Sequence, residues 1–186
     1  MKSGKKGFLT KLAEFRRDHR GISVVEFAFV FPVMVALYLG GTAATQGITI
    51  QRKLTITTRT VGDLVSQDTN VSNVEMNSIF SAATVVIDPY PAPVGTLAVT
   101  VSSVNIDQNG NATVLWSDTY QGTARTVGSA VTLPAGVNVP STTVILSEGS
   151  YVYVPPVGSA FFPSLTLKET LYFRPRRVNN ITRSVT

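Results

Sequence analysis

Three hydrophobic rhythms divide the chain. From residue 22 to residue 39 every position is apolar except Ser23, Glu26 and Pro32, and the small residues 40–44 extend the run to 23. A helix apolar on all sides is a membrane span rather than a surface helix, and 23 residues suffice for about 30 Å of hydrocarbon. Residues 45–66 are rich in Thr and Ile, which favour strand by propensity. Yet Leu54, Val61, Leu64 and Val65 recur at helical spacing, so the pattern predicts that the helix continues to about Ser66, weakened at Gly47 and Gly62. Ser72 and Glu75 form a capping-box pair, and Met76, Ile79, Phe80 and Ala83 then share one helical face. That second helix stops before the proline-rich run from Asp88 to Pro93.

Beyond Gly95 the period changes to two. Leu97, Val99 and Val101 alternate, as do Val114, Trp116 and Tyr120, and Asn109-Gly110 between the two runs signals a type I′ hairpin. Residues 122–141 are punctuated by Gly and Pro. Two further strands, 142–154 and 165–173, flank the Pro155-Pro156 and Phe161-Phe162-Pro163 segments. The element order predicts an α+β protein: a long N-terminal membrane-spanning helix, a short second helix and an antiparallel sheet of about four strands. Its expected divisions are a basic leader (1–21), a membrane helix (22–44), a helical extension (45–66) and an extracytoplasmic head (67–186).

Charge sharpens this topology. The net charge is +5, and residues 1–20 hold all of it: seven Lys/Arg against Glu14 and Asp18, leaving nine basic and nine acidic residues afterwards. A folded body of zero net charge is not a nucleic-acid footprint. Basic residues before an apolar run put residues 1–21 in the cytoplasm and residues 45–186 outside, a single-pass inner-membrane topology that Arg52 and Lys53 do not outweigh. There is no Cys, and the one His, His19, lies in the leader. The body thus lacks the usual nucleophile–base pairs and soft-metal ligands. It is expected to be no enzyme and to hold no cofactor or metal.

Glu26 is the anomaly, because a charge in hydrocarbon costs at least a few kcal/mol. A cleaved secretory signal, cut near Gly41-Thr42-Ala43, would be unusually long and would carry this carboxylate in its apolar core. An uncleaved anchor would leave Glu26 snorkelling or protonated. Cleavage after Gly21 explains both residues together. It makes Ile22 the first residue with a free amine, Glu26 the fifth and Phe27 the sixth. A basic leader, Gly, four residues, Glu, an aromatic and an apolar helix resemble the type IV prepilin signal, which implies that the glutamate pairs with an N-terminal ammonium, its own or a neighbour's. The pairing is physically sound, since a buried carboxylate needs such a partner. Pro32 is expected to kink the span, and Gly40-Gly41 either allow close helix packing or mark its end.

The opening RGISVVEFAFVFPV, the hairpin SSVNIDQNGNATVLWSD and the closing EGSYVYVPP with FFPSLTLKETLYFRPR together resemble TadE-like proteins, pseudopilins of the tight-adherence (Flp) pilus; TadG-like relatives share the N-terminal pattern. The resemblance is weakest over residues 122–141. It implies processing by a prepilin peptidase at the cytoplasmic face, with Gly21, Glu26 and Phe27 matching the motif. It also implies a role in pilus assembly with other pilins and the assembly machinery. The alternative is an uncleaved, envelope-anchored protein with a β-rich binding or adhesive domain.

Other candidate chemistry is sparse. Asp107, Asn109, Asn111, Thr113 and Asp118 approach a calcium-loop spacing, but Ala112 stands where that loop needs Gly and Asp118 where it needs Glu, so a plain hairpin turn is expected. Asn111-Ala112-Thr113 matches a glycosylation sequon. Arg174, Arg176 and Arg177 cluster at the end of the last strand, a solvated strand end or a dock for acidic partners or headgroups. Tyr151, Tyr153, Phe161, Phe162, Tyr172 and Phe173, with Trp116, are expected in the sheet core.

Overall fold

A computed structural model describes residues 22–155 and 163–184. The helix α1 runs unbroken over Ile22–Gln67, 46 residues, and passes through Pro32. Strand β1 (Asn70–Val71) leads into helix α2 (Asn73–Ile87), followed by β2 (Leu97–Ile106), β3 (Ala112–Tyr120), β4 (Thr142–Tyr153), β5 (Leu165–Phe173) and β6 (Thr182–Arg183). The chain divides into two compact units, 1–44 and 45–186.

In the first unit, residues 22–44 are helical and apolar. At 1.5 Å per residue they measure about 35 Å, enough to cross a bilayer. Thr42 Oγ1 donates to the Leu39 carbonyl at 2.8 Å, so this hydroxyl is satisfied within the helix.

The second unit is an antiparallel sheet ordered β3-β2-β4-β5 with helices on one face. The α1 stripe that meets it is Ile50, Leu54, Thr57, Thr58, Val61 and Val65, all buried. These follow 3.6-residue spacing, which is why a Thr- and Ile-rich segment stays helical: packing of one face overrides β-propensity. Leu64, grouped with the stripe by sequence, lies off it and is 37% exposed. The expected weak points have different causes. A methyl on Gly62 would overlap the edge of the Phe173 ring and lie 3.0 Å from Ser147 Cβ, so Gly62 lets α1 approach β4 and β5. Gly149 does the same from the sheet side, against Thr58 and Leu54.

Helix α2 starts as predicted. Ser72 Oγ accepts from the Glu75 N–H at 3.3 Å, and Glu75 Oε2 accepts from the Ser72 N–H at 2.7 Å. Its buried face is Met76, Ile79, Phe80, Ala83 and Ile87. Together with α1 it covers Leu97, Val99, Val101, Trp116, Ile145, Tyr151 and Tyr153.

The strand alternation needs one correction. The β2–β3 register shifts at Ser103/Val104, where Ser103 faces Trp116 but Val104 faces Val114. This bulge at Leu115 switches the parity of β3. Trp116 and Tyr120 face the helices, whereas Val114, paired with Val104, faces the other way. The β2–β3 connection is also not type I′. The Gly110 N–H bonds to Asp107 O at 3.2 Å and Asp107 N–H to Asn111 O at 3.0 Å, and Gly110 alone has positive φ, at 83°. It is the three-residue loop with a left-handed glycine, because Asn109 keeps negative φ.

The opposite sheet face carries a second cluster: Val104, Ile106, Ala112, Val144 and Leu146. Val131, Leu133 and Val137 cover it, so the Gly/Pro-punctuated segment is a packed flap rather than a bare loop. No sequence pattern pointed to a second, two-stranded parallel sheet, β1 with β6. Ile181 is buried there, its carbonyl accepts from Trp116 Nε1 at 2.8 Å, and the Arg183 guanidinium grips Asp118 (2.8 Å) and Asn73 Oδ1 (2.7 Å). Of the aromatics expected in the core, Tyr172 packs on the second cluster and Phe173 on the first, while Phe161 and Phe162 lie outside the described residues.

Candidate functional site

The sequence places its chemistry at the start of α1. Gly21 lies outside the described residues, and Ile22 is the first described residue and already helical. Glu26 is four residues further, about one turn along the same face, so an amine at the nitrogen of residue 22 and the Glu26 side chain belong to the same helical edge. Glu26 is exposed and has no hydrogen bond or ion pair among the described residues. Phe27 stacks one turn up against Phe31, with centroids 5.3 Å apart.

Around Glu26 the surface is apolar. Val24, Val25, Phe27, Phe29, Val30, Phe31 and their successors to Tyr38 are between 37% and 77% exposed wherever the side chain is large. Such contiguous exposed apolar surface is compatible with a helix that crosses a membrane. A carboxylate here is costly to bury alone and cheap to bury beside an ammonium. That is the property the site offers: it rewards a neighbouring positive charge inside an apolar medium.

The remaining candidates resolve into structural roles. Asp107 folds back on its own hairpin: Oδ1 accepts from the N–H groups of Asn109 and Asn111, each at 2.8 Å, and Oδ2 from Asn111 Nδ2 at 2.9 Å. The Asn111 side-chain bond, ahead of its backbone bond, holds the Asp107 carboxyl below the usual aspartate range. The near-calcium spacing is therefore an Asx-capped turn. The Asn111 amide of the sequon is engaged in the same turn. In the arginine cluster, the Arg176 guanidinium pairs with Asp63 and its N–H caps α1 at Ser66 O (2.9 Å), while Arg174 and Arg177 remain exposed.

One feature escaped sequence reading. Tyr90, Tyr151 and Tyr153 gather in the second unit beside Pro91, Pro93 and residues 46 and 50 of α1. The signal was present as two tyrosines at i and i+2, hence on one strand face, and a Tyr between two prolines in the linker. Burial first, then the nearby Tyr90, pushes the Tyr151 and Tyr153 phenols above their ordinary pKa.

No family model, curated protein or solved structure matches this chain.

Proposed function

We propose that the chain is a TadE-like pseudopilin that acts in assembly of a tight-adherence (Flp-type) pilus. A prepilin peptidase cuts after Gly21 at the cytoplasmic face, and residues 22–44 hold the mature protein in the bacterial inner membrane. Its 45–186 unit stands on the extracytoplasmic side, and the role is non-enzymatic. The observation that carries this reading is the placement of Glu26. It sits one turn past Ile22, the first described residue of a continuous helix, unpaired among the described residues and surrounded by exposed apolar side chains. A freed ammonium at residue 22, or that of a neighbouring pilin helix, supplies the missing charge. The basic leader supports the orientation.

The test is the mature N-terminus. Mass spectrometry of the membrane form should find a chain starting at Ile22, because removal of 21 residues leaves 165 of 186. A bulky or charged residue at position 21 should retain the leader. A wild-type protein still carrying Met1 in cells that make the pilus would refute the assignment and favour the uncleaved anchor.

A further inference from the structure

The tyrosine cleft has an open mouth, a volume of about 340 Å³ and walls drawn from three elements: Gln46 and Ile50 of α1, Tyr90 and Pro93 of the connection after α2, and Tyr151 and Tyr153 of β4. That size is at the low end for ligand clefts, enough for part of a larger molecule. Its polar groups are already committed. The Tyr151 hydroxyl donates to Pro91 O at 2.8 Å and the Tyr153 hydroxyl to Gln46 Oε1 at 3.2 Å. What these rings offer an occupant is therefore apolar surface.

The rim is apolar too. Val94, next to Pro93, is 91% exposed, and Val154, on the cleft wall, is 56% exposed. Leu165, 55% exposed, is the register partner of Tyr153. Exposed Val and Leu side chains next to residues that line an aromatic cleft mark a surface suited to an apolar partner.

Which apolar partner follows from the chain itself. Gln46 is two residues from Ala44, where the apolar run ends, so connectivity alone keeps it within about 7 Å of that point. The headgroup layer on each side of the hydrocarbon is of similar depth, and tyrosine is enriched there because its ring is apolar and its hydroxyl polar. We propose that the Tyr90–Tyr151–Tyr153 cleft seats the glycerol and upper acyl region of a membrane phospholipid. The inference depends on the membrane reading of residues 22–44. A proline-rich peptide is the rival occupant for an aromatic groove, but it has no reason to be sought next to the end of a span.

The experiment uses the full chain in nanodiscs of phosphatidylcholine and phosphatidylglycerol, doped with phosphatidylcholine bearing a diazirine high on one acyl chain. After illumination, lipid adducts are mapped by peptide mass. Adducts are expected on residues 22–44 and, separately, on the peptides around Tyr90–Pro93 and Tyr151–Val154. Pro93→Trp, an exposed substitution at the mouth, should abolish the cleft adducts and leave those on 22–44 unchanged. Labelling of 22–44 without the cleft would overturn the lipid seat, keep the membrane reading and leave the cleft to a peptide. Cleft adducts that survive Pro93→Trp would also overturn the seat, since the labelling would then come from random contact. Absence of adducts on 22–44 would overturn the membrane reading itself.

Discussion

The contact between α1 and β4 makes an unusual demand that a three-variant set can test. Gly149 faces Thr58, and a methyl there would fall inside the Thr58 Oγ1 radius, 3.0 Å from Leu54 Cδ1 and 3.4 Å from Thr58 Cβ. Gly149→Ala in an ordinary strand would gain about 0.5–1 kcal/mol from a stiffer unfolded backbone. Here overpacking opposes it by roughly 1–3 kcal/mol, because both neighbours are fully buried and Thr58 is stiff at χ1. The net expectation is destabilisation of about 1–2 kcal/mol. Thr58→Ala should behave oppositely. Its hydroxyl is buried with no hydrogen-bond partner. Removing it relieves about 1–3 kcal/mol of desolvation cost and gains a few tenths in helix propensity, against about 1 kcal/mol for the lost methyl.

The double variant decides the matter. With Oγ1 gone, the methyl introduced by Gly149→Ala occupies the freed volume, so the pair should be coupled by about 1–2 kcal/mol. Urea unfolding of residues 45–186, followed by the buried single Trp116, reads all four stabilities, and an unchanged m-value certifies the comparison. Additivity within about 0.5 kcal/mol, or a Gly149→Ala protein more stable than the parent, would refute the close approach of α1 to the sheet.

Four further outcomes are expected. Residues 45–186 should give a soluble, cooperatively unfolding protein by circular dichroism, whereas 67–186 should not, since it loses Ile50, Leu54, Val61 and Val65 from the core. Arg183→Ala should cost about 1–3 kcal/mol in the same urea assay, because it strands Asp118 and unpins β6, and Arg183→Lys should not rescue the forked contact. Glu75 is held below the usual glutamate range, first by the Ser72 backbone N–H and then by its hydroxyl, so its contribution is full above the ordinary glutamate pKa and is lost as pH falls through the folded value; Glu75→Gln should flatten the acid limb of stability against pH. Glu26→Gln should insert in the membrane and be cut after Gly21, yet fail to support piliation, because it removes the partner of the ammonium; a processed and fully piliated variant would show that the charge has no assembly role.

What sequence made legible was local, and what it hid depended on partners distant in the chain. The capping box at Ser72–Glu75, the four long strands and the apolar span each rest on residues within a few positions of one another, and each appears where the pattern put it. Gly62 and Gly149 read as weaknesses or went unremarked because their meaning lies in a helix and a sheet more than eighty residues apart that approach too closely for a methyl. Arg183 had no local cue, since its partners Asp118 and Asn73 are 65 and 110 residues away. The bulge at Leu115 is the instructive case. Val114, Trp116 and Tyr120 alternate cleanly, yet one extra residue sends Val114 to the opposite sheet face, so a clean period of two states which residues are buried but not on which face.

The proposed motif of Gly21, Ile22, Glu26 and Phe27 is one-dimensional, since a protease cutting there and a helical turn would both read adjacent residues. Nothing among the described residues satisfies Glu26. A side chain whose partner lies within the fold, such as Arg183, can be explained by the fold. One left bare in an apolar surface has to be explained by what the surface meets, and of the charges available to a helix in hydrocarbon, an amine at the end of a helix in the same layer costs least to bring there. On the proposed reading Glu26 serves assembly with like helices, because a mere anchor would gain nothing from the charge and would carry its desolvation cost throughout.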